Sequence, residues 1–180
     1  MFDALSAKRQ KAQTPLAILL LSRPLGGDTR RYSGGVFDIV KKEYNIMAQA
    51  KVNNKYAALA KRWTPRGWTV SYRKSLTGRC YYQRKLIETP KPITLRALHI
   101  FLHECGHAYL HTGKERPKHR VEFEAETWAF KKMRDALIEP HPTSIERAKR
   151  YVRRKINQAV KRGAKWIDVE AAQWSEYENA

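Results

Sequence analysis

His103-Glu104-Cys105-Gly106-His107 reads H-E-x-x-H, inside a stretch from Thr94 to Thr112 whose apolar residues recur at helical spacing. On a helix, positions i and i+4 lie one above the other on the same face. Both imidazoles can then point at one metal ion, as a tetrahedral zinc site with nitrogen ligands requires. Glu104 follows the first of them directly, where its carboxylate reaches a water held by the metal. Zinc makes that water more acidic, and the glutamate takes its proton as the water attacks a carbonyl. A blander reading exists. His99, His103, His107 and His111 stand four apart and would form a plain polar stripe, with Glu104 a surface carboxylate. The metal reading requires a third ligand downstream and a strand for substrate upstream, and the sequence offers both.

A histidine six residues after the second, behind a glycine, would mark a metzincin. Positions 110 and 113 are Leu110 and Gly113, which excludes that class. His111 sits one turn further along the same helix, and ligands usually converge from different elements. It is read as a residue near the site that supports a ligand. The stretch from Arg120 to Phe130 reads as a second helix after the break at Pro117. Its apolar face carries Val121, Ala125, Trp128, Ala129, Met133 and Ala136. Glu122 and Glu126 fall within or beside that face, and Glu124 lies off it. A carboxylate turned toward a core is costly unless paired or bound to metal. Glu122 as the third ligand, with Glu126 as its supporting partner, accounts for both, and Glu124 suits a solvated position. Glu124, Glu126 and His111 remain the alternatives for the third ligand.

The run His103-Glu104-Cys105-Gly106-His107-Ala108-Tyr109-Leu110-His111, followed by Glu122-x-Glu124-Ala125-Glu126-x-Trp128-Ala129, resembles the ImmA/IrrE-type metallopeptidases. Their pattern is HExxHxxLH and then ExEA(N/E)xxA. It is also similar to the peptidase part of ArdC-type anti-restriction proteins. The resemblance implies a small gluzincin-like zincin domain with one zinc per chain on His103, His107 and Glu122. It also implies a protein substrate, such as a repressor. It covers Trp68 to about Ala136. Glu126 stands where asparagine is usual and Trp128 where phenylalanine is usual, and no LLMP-like run comes after the second helix.

The elements that must position these residues can be read around them. Trp68 to Arg73 alternates as a strand, Ser75 to Gly78 turns, and Arg79 to Ile87 alternates again, which predicts a hairpin just before the motif helix. A strand placed there can pair with an extended substrate backbone. Thr94 is the expected N-cap of the motif helix and Gly113 the residue that ends it. Helix spacing extends from Glu43 to Arg62. A further helix is expected from Thr143, with Glu146 completing a capping box, to Gly163, and Asp168 is expected to cap a last short helix. The acidic tail beyond it is expected to fray. Arg23 to Gly35 reads as a loop, and the apolar run Leu16 to Leu21 as a buried strand or helical turn. The predicted class is α+β: a sheet or β-hairpin packed on the HExxH helix, with a basic helical extension. The expected organisation is an N-terminal arm over 1–35, a metallopeptidase domain over 36–140 and the extension over 141–180.

With 42% hydrophobic residues and five tryptophans, the 180-residue chain can bury a sizeable core. Two cysteines, Cys80 and Cys105, make no disulfide framework, and a reducing, cytoplasmic setting is expected. No stretch reaches transmembrane length, so no membrane partner is expected. The formal charge of +19 argues for contact with a polyanion or an acidic partner. Arg147, Arg150, Arg153, Arg154 and Lys155 in the 143–163 helix are the candidates for nucleic-acid contact. Between Lys61 and Lys91, cations interleave with Trp63, Trp68, Tyr72, Tyr81 and Tyr82. That pattern suits single strands as well as it suits a hairpin with its rings turned inward.

Two functions are expected from these features. One is a zinc peptidase with Glu104 as general base and His111, His119 or Tyr109 as the donor to the developing oxyanion. The other is a nucleic-acid-binding, anti-restriction-like protein in which zinc is structural or subordinate.

Overall fold

The computed structural model describes residues 33–177 of the chain. The protein is α+β, and the described residues form α1 (Ser33–Trp63), β1 (Thr69–Arg73), β2 (Arg79–Tyr81), β3 (Leu86–Pro90), α2 (Leu95–His111), α3 (Lys118–Asp135), α4 (Pro142–Lys161) and α5 (Val169–Ser175). The chain divides into one unit over Met1–Glu43 and another over Tyr44–Ala180. The sheet, α2 to α5 and the later turns of α1 all belong to the second. The expectations for Leu16–Leu21 and for most of the 23–35 loop lie outside the described residues. Ser33, Gly34 and Gly35 belong to α1, so that loop ends sooner than its glycines suggested.

Helix α1 starts ten residues before the expected Glu43. Its apolar spacing is only partly used, for Tyr44, Met47 and Val52 are exposed. The last two turns reach the core, where Leu59 and Ala60 are buried beside Tyr56 and Trp63.

The expected hairpin between β1 and the following strand does not form. The sheet order is β1-β3-β2. β1 runs parallel to β3, with Thr69 opposite Leu86 and Arg73 opposite Pro90, and β2 pairs antiparallel with β3, Arg79 opposite Glu88 and Tyr81 opposite Leu86. The tight turn lies at Tyr82–Lys85, closed by the Lys85 amide on the Tyr82 carbonyl and by a left-handed Lys85. Alternation showed two extended stretches, and it cannot say which strands pair or that the second stretch folds on itself. β3, flanked on both sides, is the most buried strand, with Ile87 and Thr89 wholly enclosed.

Helix α2 packs on β3 and β2 and is capped as expected: Thr94 Oγ1 accepts from the Ala97 amide at 3.2 Å, and Gly113 takes φ +72° just beyond the end. α2 and α3 form the main helix pair, and α3 in turn carries α4 and α5. α4 begins at Pro142 rather than Thr143. The His141 ring accepts from the Thr143 amide, so the expected capping box is not used. Asp168 caps α5 as expected, accepting from the Ala171 amide at 2.9 Å. The tail differs at Glu176, which is paired with Lys149 and Arg153. Among the described residues no helix is long and apolar enough to cross a membrane. Cys105 is enclosed in the core and Cys80 half-buried, and both are free thiols.

Candidate metal centre

The crossing of α2 and α3 brings the motif residues together. A Cβ added to Gly106 would lie 3.2 Å from both Cα and O of Ala125, so the two backbones meet where only small residues fit. That approach raises Glu122, one turn before Ala125, against the histidine face of α2. His103 Nε2 and His107 Nε2 lie 3.0 Å apart, and each is 3.4 Å from the same oxygen, Glu122 Oε2. Zinc bonds of about 2.05 Å in tetrahedral geometry place ligand atoms about 3.3 Å from one another. The three donors therefore fit zinc in type, number and spacing, and all three residues are buried or nearly so.

Glu122 uses its two oxygens differently. Oε2 faces the histidines, and Oε1 is ion-paired with Lys118 Nζ at 3.1 Å. Burial opposes its ionisation, yet His103 and His107 hold it well below the usual carboxylate range. Burial pushes His107 down to about 4, helped by its neighbour His103. Burial also opposes charge on His103, but Glu126 and Glu122 outweigh it and raise His103 well above its ordinary value.

Each histidine of the pair has a side chain behind it, His107 through a ring-to-ring hydrogen bond and His103 through an ion-pair contact that lacks hydrogen-bond geometry. His103 Nδ1 is 3.3 Å from Glu126 Oε1, and the other oxygen of Glu126 is 2.8 Å from His99 Nε2. His99 is stacked on Phe130. His107 Nδ1 is 3.3 Å from His111 Nδ1, and His111 Nε2 donates to Glu124 at 2.9 Å. Arg116 and Arg120 hold Glu124 in turn. Such partners fix the ring orientation and tautomer of a ligating histidine. His111 thus lies against the Nδ1 side of His107. Glu126 supports His103 rather than Glu122. Glu124 is a half-buried anchor instead of a solvated acid, because α3 turns it toward His111 and the two arginines.

Glu104 lies beside the triad, buried, and burial pushes its carboxyl up to about 7. Gly78, just before β2, rests on it. A Cβ there would come within 2.4 Å of Glu104 Cγ and Oε1. β2 is an edge strand, and Gly78 to Tyr82 line a cavity of about 350 Å³ together with His103, Glu104, His107, Lys118, Glu122 and Tyr151.

Two of the three expected oxyanion donors lie elsewhere. Tyr109 is on another face of α2, stacked on Trp128 and edge-on to Trp63. His119 is buried against α5, where its Nε2 accepts from the Asp168 amide at 3.0 Å. The third, His111, sits behind His107. Sequence reasoning missed Tyr151 of α4, whose phenol lies close to Glu122 and which lines this cavity with Glu104. A tyrosine amid the basic run of α4 carried no signal for this.

The five basic candidates of α4 separate. Arg147, Arg150 and Arg154 are exposed at spacings of three and four, which places them on one face. Arg153 donates twice to the Ser175 carbonyl and anchors α5. Lys155 and Arg154 lie over the Tyr151 ring at 5.0 and 5.1 Å from its centre. Among the interleaved aromatics, Trp63 packs on Trp128 and Trp68 on Tyr82, while Tyr72 is exposed. No family model, curated protein or solved structure matches the chain.

Proposed function

We propose that the protein is a zinc-dependent metallopeptidase of the gluzincin-like, ImmA/IrrE-resembling kind, cleaving a peptide bond in a protein substrate. The observation that carries this reading is the triad His103, His107 and Glu122, its ligand atoms 3.0–3.4 Å apart beside the buried carboxyl of Glu104. Zinc, when bound, supplies Lewis acidity that polarises a carbonyl and makes water more acidic.

The chain's own residues would do the rest. The edge of β2, unpaired among the described residues, accepts an extended substrate backbone, laying the scissile amide along the cavity floor. Glu104 takes a proton from the attacking water and passes it to the departing amine. A carboxyl near 7 is suited to both tasks. The Tyr151 phenol donates to the carbonyl oxygen as negative charge develops on it. Glu126 and the His111–Glu124 pair hold the ligating rings in place.

A second reading is favoured by one observation. Arg147, Arg150 and Arg154 share an exposed face of α4 on a chain of net charge +19. A nucleic acid could lie there, its binding set by the backbone and weakened by salt. Under this reading the protein is anti-restriction-like and its zinc subordinate, and either function fits a regulatory protein of the cytoplasm or of a mobile element.

Metal content and cleavage separate the two. About one zinc per chain is expected in the wild type and in Glu104→Gln, and none in His107→Ala or Glu122→Ala. In a native lysate, new protein N-termini should form with the zinc-loaded wild type and not with Glu104→Gln. Zinc in both with no new termini would leave the structural-zinc reading standing.

A further inference from the structure

A second cavity, of about 330 Å³, lies on the other side of Glu104 and His103. Its walls include Leu76, Ile100 and Ala148, and its floor is the buried Glu104 with Glu126. Arg96, in the first turn of α2, and Arg147, in the second turn of α4, line it as well, and both are exposed, so they stand at its mouth. Ser144 and Tyr151 add two hydroxyls.

Charge and shape favour one kind of guest. Neither arginine makes an ion pair with any described residue. By contrast Arg116 and Arg120 pair with Glu124, and Arg153 with Glu176. Arg96 stands in the first turn of α2, which holds no acid, where a cation opposes the helix dipole. The acids of the floor do not answer them: Glu126 is paired with His99 and His103, and Glu104 makes no ion pair with either arginine. An apolar-walled cavity with two guanidinium groups at its mouth suits a short methylene stem ending in an anion. The adjoining cavity is bordered by the edge of β2, unpaired among the described residues, which fits an extended peptide. A peptide lying there would send a side chain next to its scissile bond into this space.

We infer that the cavity between Arg96 and Arg147 is a binding site for a carboxylate of the peptide substrate, either a glutamate or aspartate side chain beside the cleaved bond or a free C-terminus. The site rests on the peptidase reading for its substrate, but binding can be measured without cleavage.

The experiment uses zinc-loaded Glu104→Gln protein at physiological salt, where attraction to distant charges is largely screened. Three fluorescein-labelled nonapeptides serve as probes: one with a single central glutamate and an amidated end, its glutamine twin, and the twin with a free C-terminus. Fluorescence anisotropy should show the glutamate or the free-acid peptide binding about tenfold tighter than the neutral one. Arg96→Ala and Arg147→Ala should each remove most of that gap, and Arg134→Ala, on the exposed surface of α3, should leave it. A glutamate preference places an internal acidic residue in the site, and a free-acid preference places the substrate's end there. Equal binding of all three peptides overturns the inference, as does a gap that survives both substitutions or shrinks as much in Arg134→Ala. So does a single-stranded oligonucleotide that depends on Arg96 and Arg147 while the peptides do not discriminate. Carboxylate preference without new N-termini from the wild type would sink the peptidase reading and leave the site.

Discussion

Gly78 lies directly against Glu104: a methyl group at its α-carbon would come within 2.4 Å of the carboxyl oxygen Oε1. The residue before the edge strand thus sets where the carboxyl proposed as general base can be. Gly78→Ala should push Glu104 aside without touching a zinc ligand. Cleavage should fall on the order of 100-fold, since about 1 Å of misplacement costs that much. Zinc content should stay at the wild-type level, and joint loss of zinc and activity would show that Gly78 instead supports the whole centre.

Zinc binding should release protons in a predictable amount. His103 is raised well above its ordinary value and carries a proton at neutral pH, whereas His107, near 4, does not. Glu122 is already ionised. Metal binding must therefore displace about one proton from His103 near pH 7, so affinity rises with pH until His103 is neutral. Calorimetry in buffers of different ionisation enthalpy reads this number directly. Release of no proton would mean that His103 is neutral before binding.

The carboxylates behind the histidines should matter to affinity more than to fold. Glu126→Gln removes the charge facing His103, and Glu124→Gln weakens the hold on His111. Each should lower zinc affinity about 10- to 100-fold, the range for partners of ligating histidines. Competition with a chromophoric chelator measures it. Unchanged affinity in both would mean that packing alone orients the rings.

Tyr151→Phe isolates a hydroxyl. If that phenol donates to the developing oxyanion, kcat should drop on the order of 100-fold with KM and zinc content little changed. A rise in KM alone would make Tyr151 a substrate contact.

Glu124 offers a test of stability against pH. Burial opposes its charge, but Arg120, His111 and Arg116 hold it below its ordinary value. A depressed carboxylate stabilises the fold above its unfolded value near 4.3 and loses that contribution as pH falls through the folded one. The acid loss of stability should therefore be smaller in Glu124→Gln than in wild type, as followed by thermal unfolding between pH 6 and 3.

The sequence alone determined which residues one helix groups together and much of what its neighbour sets against them. His103 and His107 share a face through the i, i+4 geometry of any helix, with Glu104 three residues before the second, and Thr94 and Gly113 mark the helix ends by their own backbone preferences. Glu122 was legible because a carboxylate on an apolar face needs a partner. What local pattern could not decide was anything that depends on elements distant in sequence. Alternation does not say which strands pair, so β1 joined β3 in place of the nearer β2. Helix spacing puts Glu124 and Glu126 on α3 but leaves open which histidines they meet, because the meeting depends on the crossing at Gly106 and Ala125. Tyr151, 44 residues after His107, reaches the cleft only because α4 packs on α3. Periodicity is set by each residue's nearest neighbours, whereas the contents of a cleft are set by packing between elements.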